Sequence, residues 1–457
     1  MGASASLTPP ADRPSRRDAD LQAEATALLQ ALLRIDTSNP PGGETPAARL
    51  LAEYLGANGV ECELVARDPA RANLVARIPG RGEGPSLALV GHTDVVPAGD
   101  AAAWTHGPFA GDVDADGYLW GRGAADMKNE LASRAVAMAA LARAGHRPAG
   151  DLLLIAEADE EDGSAEVGMP WLVRARTDLH PDYALNEGAA ERLELADGRT
   201  LVTINVGEKG ALRATVTALG IAGPSAVPWA GANAVPRLAT LVQRLSRYVP
   251  ERRLLPETNA VLDALVGPDG GLDARIERAS ALHPLLPDLL RPLFSLTIAP
   301  TRLHGSEALN VMPAEASVEC DCRPVPGMRR RDVVAELETA LGADLPTRIE
   351  VSGEPEGGSI SPLDTPLYDA CGAWIRANDP GAVLVPTICN GFTNSHYLRA
   401  AFGTVAYGFW PVRHTPTEVL HAGVHAVDER VHTADLGRAV RFHIDVCRDF
   451  DRRTGGS

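Results

Sequence analysis

The sequence predicts an α/β protein: a mixed, mostly parallel sheet flanked by helices, interrupted by a smaller α+β module of ferredoxin-like order. Three observations predict it. Short apolar runs alternate with helix-period stretches in the first 200 residues, the pattern of buried strands joined by covering helices. After about residue 206 the texture changes to half-exposed strands and amphipathic helices, in the order strand-helix-strand-strand-helix-strand. At 457 residues the chain also exceeds what one core usually spans.

Residues 1–20 are rich in Ala, Ser, Pro, Asp and Arg and read as a frayed tail. Residues 23–34 carry helical periodicity, the Ser38-Asn39-Pro40-Pro41-Gly42-Gly43 run is a loop, and 46–57 is a second helix. Residues 73–78, 86–90 and 151–156 suit buried strands, and 127–144 is a long Ala/Leu helix ending near Gly145. In the module, 211–219 reads as a strand and 233–247 as a helix. Residues 296–300 and 315–323 read as strands, 331–341 as a helix and 348–351 as a strand. Residues 250–293 insert a Pro/Leu-rich, mostly helical stretch between the first helix and second strand of that module. Helices near 366–377 and 433–447 return to the α/β texture. The expected division is therefore 21–206 with 357–457 as one discontinuous domain, and 207–356 as the module that interrupts it.

Composition excludes several classes. Net charge is −17 with no Lys/Arg block, which argues against nucleic acid and anionic membrane as partners. No apolar stretch approaches ~20 residues, so no membrane span is expected. The six cysteines are scattered, unlike a disulfide scaffold. Cys320 and Cys322 share one face of a strand as buried thiols. A reducing, cytoplasmic location fits.

The chemistry lies in five separated motifs. His92 and Asp94 follow a strand in Gly91-His92-Thr93-Asp94-Val95-Val96-Pro97, and Asp126 sits in Gly121-Arg122-Gly123-Ala124-Ala125-Asp126-Met127-Lys128. Glu160 and Glu161 lie in Asp159-Glu160-Glu161-Asp162-Gly163, Glu187 in Asn186-Glu187-Gly188, and His425 in Val424-His425-Ala426-Val427-Asp428-Glu429-Arg430-Val431. Two imidazoles and three carboxylates (His92, Asp126, Glu161, Glu187, His425) form a ligand set that zinc-like ions accept. Glu160 is a spare carboxylate, which metal-assisted hydrolysis needs as a general base. His414 is a competing late histidine; His425 is preferred for its motif. Taken singly, each residue is ordinary surface or core; together they read as a two-metal hydrolase.

In this order the motifs resemble the dizinc peptidase and deacylase family that includes glutamate carboxypeptidase, acetylornithine deacetylase, succinyl-diaminopimelate desuccinylase and aminoacylase. The resemblance covers about residues 29–450. It implies that His92 and Glu187 hold one zinc, Glu161 and His425 the other, and that Asp126 bridges them. Co²⁺ or Mn²⁺ are the expected substitutes. It implies that Asp94 orients His92 and that Glu160 is the base that shuttles a proton between water and the leaving amine. Asn310 and Arg323, in Asn310-Val311-Met312-Pro313 and Asp321-Cys322-Arg323, are similar to residues that hold a substrate carboxylate, for which a planar guanidinium suits. Gly391, Thr393 and Asn394 resemble a loop lining the same pocket. The implied activity is hydrolysis of a dipeptide or N-acyl-amino-acid amide bond beside a free carboxylate, with 207–356 acting as a lid and as a homodimer contact.

Two departures from the family pattern bear on turnover. Pro224 stands where relatives carry a lid histidine that donates to the oxyanion, and proline has no donor to offer. Ser225 or His304 are the candidate replacements. Asn394 stands where relatives commonly carry Asp. Two further readings therefore stay open: a metal-binding homologue with lost or altered catalysis, and an enzyme that forms amides in a specialised pathway.

Overall fold

Apolar runs and helix-period stretches become the elements they imply, several of them longer than expected. The computed structural model describes residues 16–189, 191–353 and 356–455. In chain order come α1 (Arg16–Leu33), α2 (Thr45–Ala57), β1 (Glu61–Val65), β2 (Asn73–Ile78), β3 (Leu87–His92) and β4 (Tyr118–Trp120). There follow α3 (Lys128–Arg143), β5 (Leu152–Glu157), α4 (Met169–Ala175), β6 (Tyr183–Asn186), β7 (Arg192–Glu194) and β8 (Thr200–Glu208). The module holds β9 (Leu212–Leu219), β10 (Gly223–Pro224), α5 (Ala234–Arg247), α6 (Pro256–Val266), α7 (Leu272–Ser280) and α8 (Leu286–Leu290). It continues through β11 (Thr297–His304), β12 (Val311–Met312), β13 (Glu315–Arg323), α9 (Arg330–Leu341) and β14 (Thr347–Ser352). The chain ends with β15 (Ser359–Ile360), α10 (Pro366–Asn378), β16 (Ala382–Cys389), α11 (Ser395–Phe402), β17 (Val405–Gly408), α12 (Thr417–Gly423), β18 (Arg430–His432) and α13 (Thr433–Thr454).

The described chain divides into two compact units. The first runs to Gly82 and includes Gly91–Val167 and Pro411–Arg452; the second holds Glu83–Val90, Gly168–Trp410 and the last residues. The boundary falls inside β3.

In the first unit β1, β2 and β5 pair antiparallel, Leu74 opposite Ala156. α3 is buried from Lys128 to Leu141, which its many alanines permit by letting neighbours approach closely. β4 pairs with β18, Trp120 opposite Arg430, and so ties the segment before Asp126 to the segment after His425. Residues 1–15 of the expected tail lie outside the described residues. Residues 16–20 are helical instead, as the first turns of α1, where Asp18 complements the helix dipole and meets Arg441 of α13.

In the second unit β3, β6 and β17 run parallel, and β8 joins antiparallel to β17. β16 lies parallel to β8, while β7 and β15 pair with it antiparallel. The sheet is mixed, as expected. A separate antiparallel sheet of order β11-β13-β9-β14 carries α5 and α9, the ferredoxin-like arrangement. Alternation along β13 buries Cys320 and Cys322 in its core beside Leu241 and Leu337, and all six cysteines are free thiols. No helix among the described residues is long and apolar enough to cross a membrane.

Candidate metal centre

Asp126 is the centre of the site. Its Oδ1 lies 3.2 Å from His92 Nε2, and its Oδ2 lies 3.2 Å from His425 Nε2. Glu161 Oε2 is 3.1 Å from the same nitrogen of His425. One short carboxylate thus faces two imidazoles with a different oxygen for each. Asp126, Glu161 and His425 present ligand-type atoms within 4.8 Å of one another.

Each of these side chains is held by its local fold. His92 ends a fully buried strand, and its Nδ1 donates to the Asp94 backbone carbonyl at 2.9 Å, leaving Nε2 turned toward Asp126. Asp126 closes a tight loop in which Gly123 adopts φ +90°. A Cβ there would meet Val95 at 2.8 Å, so only glycine serves. The Asp126–Met127 peptide is cis. His425 itself has φ +58°, a left-handed backbone that is costly outside glycine and is kept where surrounding bonds dictate it. Here those bonds are Val424 N–H to Leu420 and Ala426 N–H to Gly423.

The Asp94 carboxylate does something its motif does not announce. It stands 3.5 Å from His92 Nδ1, but it accepts the backbone N–H of Glu160 at 3.1 Å and of Glu161 at 3.0 Å. The same residue thus serves both the imidazole, through its carbonyl and carboxylate, and the acidic turn. Asn39 donates to both Asp94 and Asp159, and Arg71 pairs with Glu44 and Asp159. Burial opposes ionisation of Asp94, but the bonds from His92, Asn39 and the Glu161 amide outweigh it and hold its carboxyl low.

Glu429 is a site residue that its motif alone does not single out. Fully buried, it accepts the N–H groups of Gly123, Ala125 and Asp126 at 3.0, 2.7 and 2.9 Å, and pairs with Arg122 at 2.7 Å. The available signal is its place four residues after His425, within the same motif.

The electrostatics fit a cation. Burial would raise Asp126, but hydrogen bonds from His425 and His92 hold it well below the usual carboxylate range. Hydrogen bonds from Asp126 and Glu161 push His425 up to about 10. A cluster that grips a proton this firmly is one that a divalent ion neutralises, releasing that proton. Glu161 Oε1 is buried without a hydrogen-bond partner, a donor atom of the kind an ion satisfies.

The remaining expected residues are distributed as follows. Glu187 follows β6 in the second unit, where Leu185 pairs in parallel with Leu89 of β3. Thr393 and Asn394 are buried, and Thr393 Oγ1 lies 3.5 Å from Glu208. Gly391 packs near Cys389 Sγ. Asn310 and Arg323 are not brought together. The Ser225 N–H bonds the Asn310 carbonyl, which sets Asn310 beside Pro224 beyond the Glu315 end of β13. Arg323 closes the other end of β13, pairing with Asp321, about 26 Å away at ~3.3 Å per residue. His304 is engaged by Glu319 at 2.9 Å on an exposed face, and His414 stacks on His432 while its backbone N–H donates to Asp435. Neither belongs to the cluster.

Comparison with known proteins identifies the family. The model of peptidase family M20/M25/M40 matches residues 88–449. A succinyl-diaminopimelate desuccinylase of Rhodospirillum centenum is 40% identical over 424 residues, covering 90% of this chain and 93% of that protein. One of Cereibacter sphaeroides is 28% identical over 442 residues, covering 93% and 99%. Among solved structures, an M20 family metallo-carboxypeptidase from Sulfolobus solfataricus superposes with TM-score 0.73 at 18% identity, covering 94% of this chain and 99% of that one. Human carnosine dipeptidase 1 gives 0.65 at 17% identity, covering 96% and 100%. The fold, the convergent imidazoles and carboxylates, and a match across most of the sequence lead to one assignment: the chain belongs to the M20/M25/M40 peptidase family and is a metallohydrolase.

Proposed function

We propose that this chain is a zinc-dependent amidohydrolase that cleaves the amide bond of an N-acyl amino acid or dipeptide beside a free carboxylate. The observation that carries the reading is the Asp126 carboxylate, which offers one oxygen to each of two imidazoles. The desuccinylase relatives put N-succinyl amino acids first among substrates to try.

In this reading His92 and Glu187 would hold one ion and Glu161 and His425 the other, with Asp126 shared between them. Support for Glu187 comes from its place just past the end of β6, a strand that pairs in parallel with β3. A bound zinc pair supplies Lewis acidity toward the scissile carbonyl and makes water easier to deprotonate. Glu160, its amide fixed by Asp94, takes the proton from water and returns it to the leaving amine. Residues 21–206 and 357–457 act as the catalytic domain and 207–356 as its lid. Arg323 and the loop of Gly391, Thr393 and Asn394 receive the substrate carboxylate. Asn310 lies too far along β13 to join them from the same chain, so it serves the site of a second copy. Exposed Trp229, Leu303 and Leu309 in the same module offer the apolar contact for that homodimer.

The test is turnover of an N-succinyl, N-acetyl and dipeptide panel after chelation and zinc return. Activity should vanish and come back. Glu160→Ala should keep zinc and lose about 10²–10⁴-fold in kcat. Hydrolysis indifferent to chelation refutes the proposal. Pro224, exposed and paired with Val311, favours one rival, a metal-loaded homologue without catalysis. Full zinc occupancy with no turnover across the panel is that rival's signature.

A further inference from the structure

Two hydrophobic cores of the second unit share no residue. One is built by β9, β11, β13 and β14 with α5 and α9. The other has nine buried members from residues 256–294, on α6, α7, α8 and the turn Arg291–Phe294. Its remaining five are Leu193, Leu195, Leu201, Val385 and Ile388, from the β7–β8 hairpin and β16. The insertion leaves the four-stranded module after α5 and returns to it at β11, yet its apolar face is buried on the larger sheet. Its position in the sequence gives no hint of that.

The chain therefore passes between the two cores at four places: after β8, after α5, before β11 and after β14. With two passages a module turns as on a hinge. With four, turning it also strains an insertion whose nine buried apolar side chains share one core with β7, β8 and β16. The passages are also bonded to one another. The buried Lys209 ammonium, just past β8, donates to the carbonyls of Pro292 and Ser295 at 3.0 and 2.9 Å and lies 3.3 Å from Thr297 Oγ1. Its own N–H bonds the Cys389 carbonyl, and the Gly210 N–H bonds Pro324. Gly358 passes so close that a Cβ would collide with the Glu208 carbonyl and Lys209 Cα. Tyr248 donates to Glu336 at 2.6 Å, and Arg253 N–H bonds Phe294 at 2.6 Å. On the sheet side Arg199 donates to the Ala264 and Leu265 carbonyls, and Ala196 N–H bonds Leu282.

We infer that residues 250–293 are a strap, fastened by Lys209 and Arg199, that holds the four-stranded module at one setting against the β8–β16 sheet and limits its movement. The inference rests on the reading of 207–356 as a lid, and it makes that lid a restrained one.

Spin labels at Glu338→Cys on α9 and Ala377→Cys on α10, both exposed positions, report the separation of the two bodies in the full chain. Cys62 and Cys389, the cysteines that are not buried, are replaced first. Pulsed dipolar spectroscopy should give one narrow distance, the same with and without zinc plus succinate. Arg199→Met with Lys209→Met should broaden it at least about twofold. A broad or two-peaked wild-type distribution overturns the strap, as does a double variant as narrow as the wild type. Should that variant not fold, hydrogen exchange on the wild type decides. Lys209 and Gly210 amides should exchange at least about 10³-fold slower than unstructured ones, and rapid exchange there refutes the proposal. These readouts are distances and exchange rates, so a chain that hydrolyses nothing can still confirm or refute the strap.

Discussion

Glu429 grips the loop of Asp126 by its backbone. Three amides and the Arg122 guanidinium converge on one carboxylate that is fully buried. Replacing it with Ala leaves a buried guanidinium unpaired, which costs about 3–5 kcal/mol in comparable sites. Loosening the residues that orient a ligand typically lowers metal affinity about 10–100-fold. Glu429→Ala should therefore bind zinc at least about tenfold more weakly by competition with a chelator dye. Glu429→Gln, which keeps one acceptor oxygen, should fall between. Undiminished zinc affinity in Glu429→Ala would mean that Asp126 is positioned by other bonds. At this scale the sequence discloses ligand chemistry better than support. His92, Asp126, Glu161 and His425 are recognisable by residue type and motif, because a metal demands particular donor atoms. Asn39, Glu44, Arg71 and Glu429 act through buried carboxylates, backbone amides and each other, and no residue type is peculiar to that work. Asp94 shows the same limit: its position is legible, but its partner amides are not.

Among the elements, those with a single buried face are the most legible. The alternation of β13 places its cysteines inward, and β2, buried on both faces, runs over residues 73–78 as its continuous apolar run implies. The insertion reads as helical, but which core its helices cover depends on chains distant in sequence, and periodicity carries no address. A different feature sits on α13, which is long and amphipathic and carries His443 on its buried side. His443 is fully buried and neither ring nitrogen has a hydrogen-bond partner. Burial, reinforced by the charge of Arg134 on α3, drives its pKa well below the usual histidine value. The folded chain thus keeps this imidazole neutral. Below about pH 6.5 the unfolded chain takes up a proton that the folded chain refuses, so stability falls as the pH drops from there. One proton of difference corresponds to about 1.4 kcal/mol per pH unit. His443→Leu should remove that much slope from urea-unfolding stability measured between about pH 6.5 and 5. Above pH ~7 the contribution should not change with pH. A slope equal to that of the wild type would show that the imidazole is protonated in place.

For the whole molecule, the acidic balance of −17 argues for small, uncharged or locally captured substrates rather than polyanions. The captured group on this reading is a carboxylate, and the geometry of its capture bears on how many chains a working enzyme needs. Arg323 and Asn310 close opposite ends of one strand, so a single chain presents its carboxylate-type contacts in two places. Apolar side chains also lie open toward the Asn310 end: Leu309 is 100% exposed, Trp229 81% and Leu303 67%. Large apolar side chains left this open mark a contact surface, and pairing two copies there covers them while carrying each Asn310 toward its partner. Closed two-fold pairing is the commonest arrangement of soluble oligomers. Sedimentation of the wild type should then show a dimer at micromolar concentration. Leu309→Asp places a charge in the contact, which leaves it unpaired and desolvated if the dimer forms, and should shift the equilibrium to monomer. Because Asn310 acts on the neighbouring site in this arrangement, the same substitution should raise KM for N-acyl amino acids about tenfold or more while zinc content holds. A wild type that sediments as a monomer with full turnover would return Asn310 to the surface and leave Arg323 to hold the carboxylate alone.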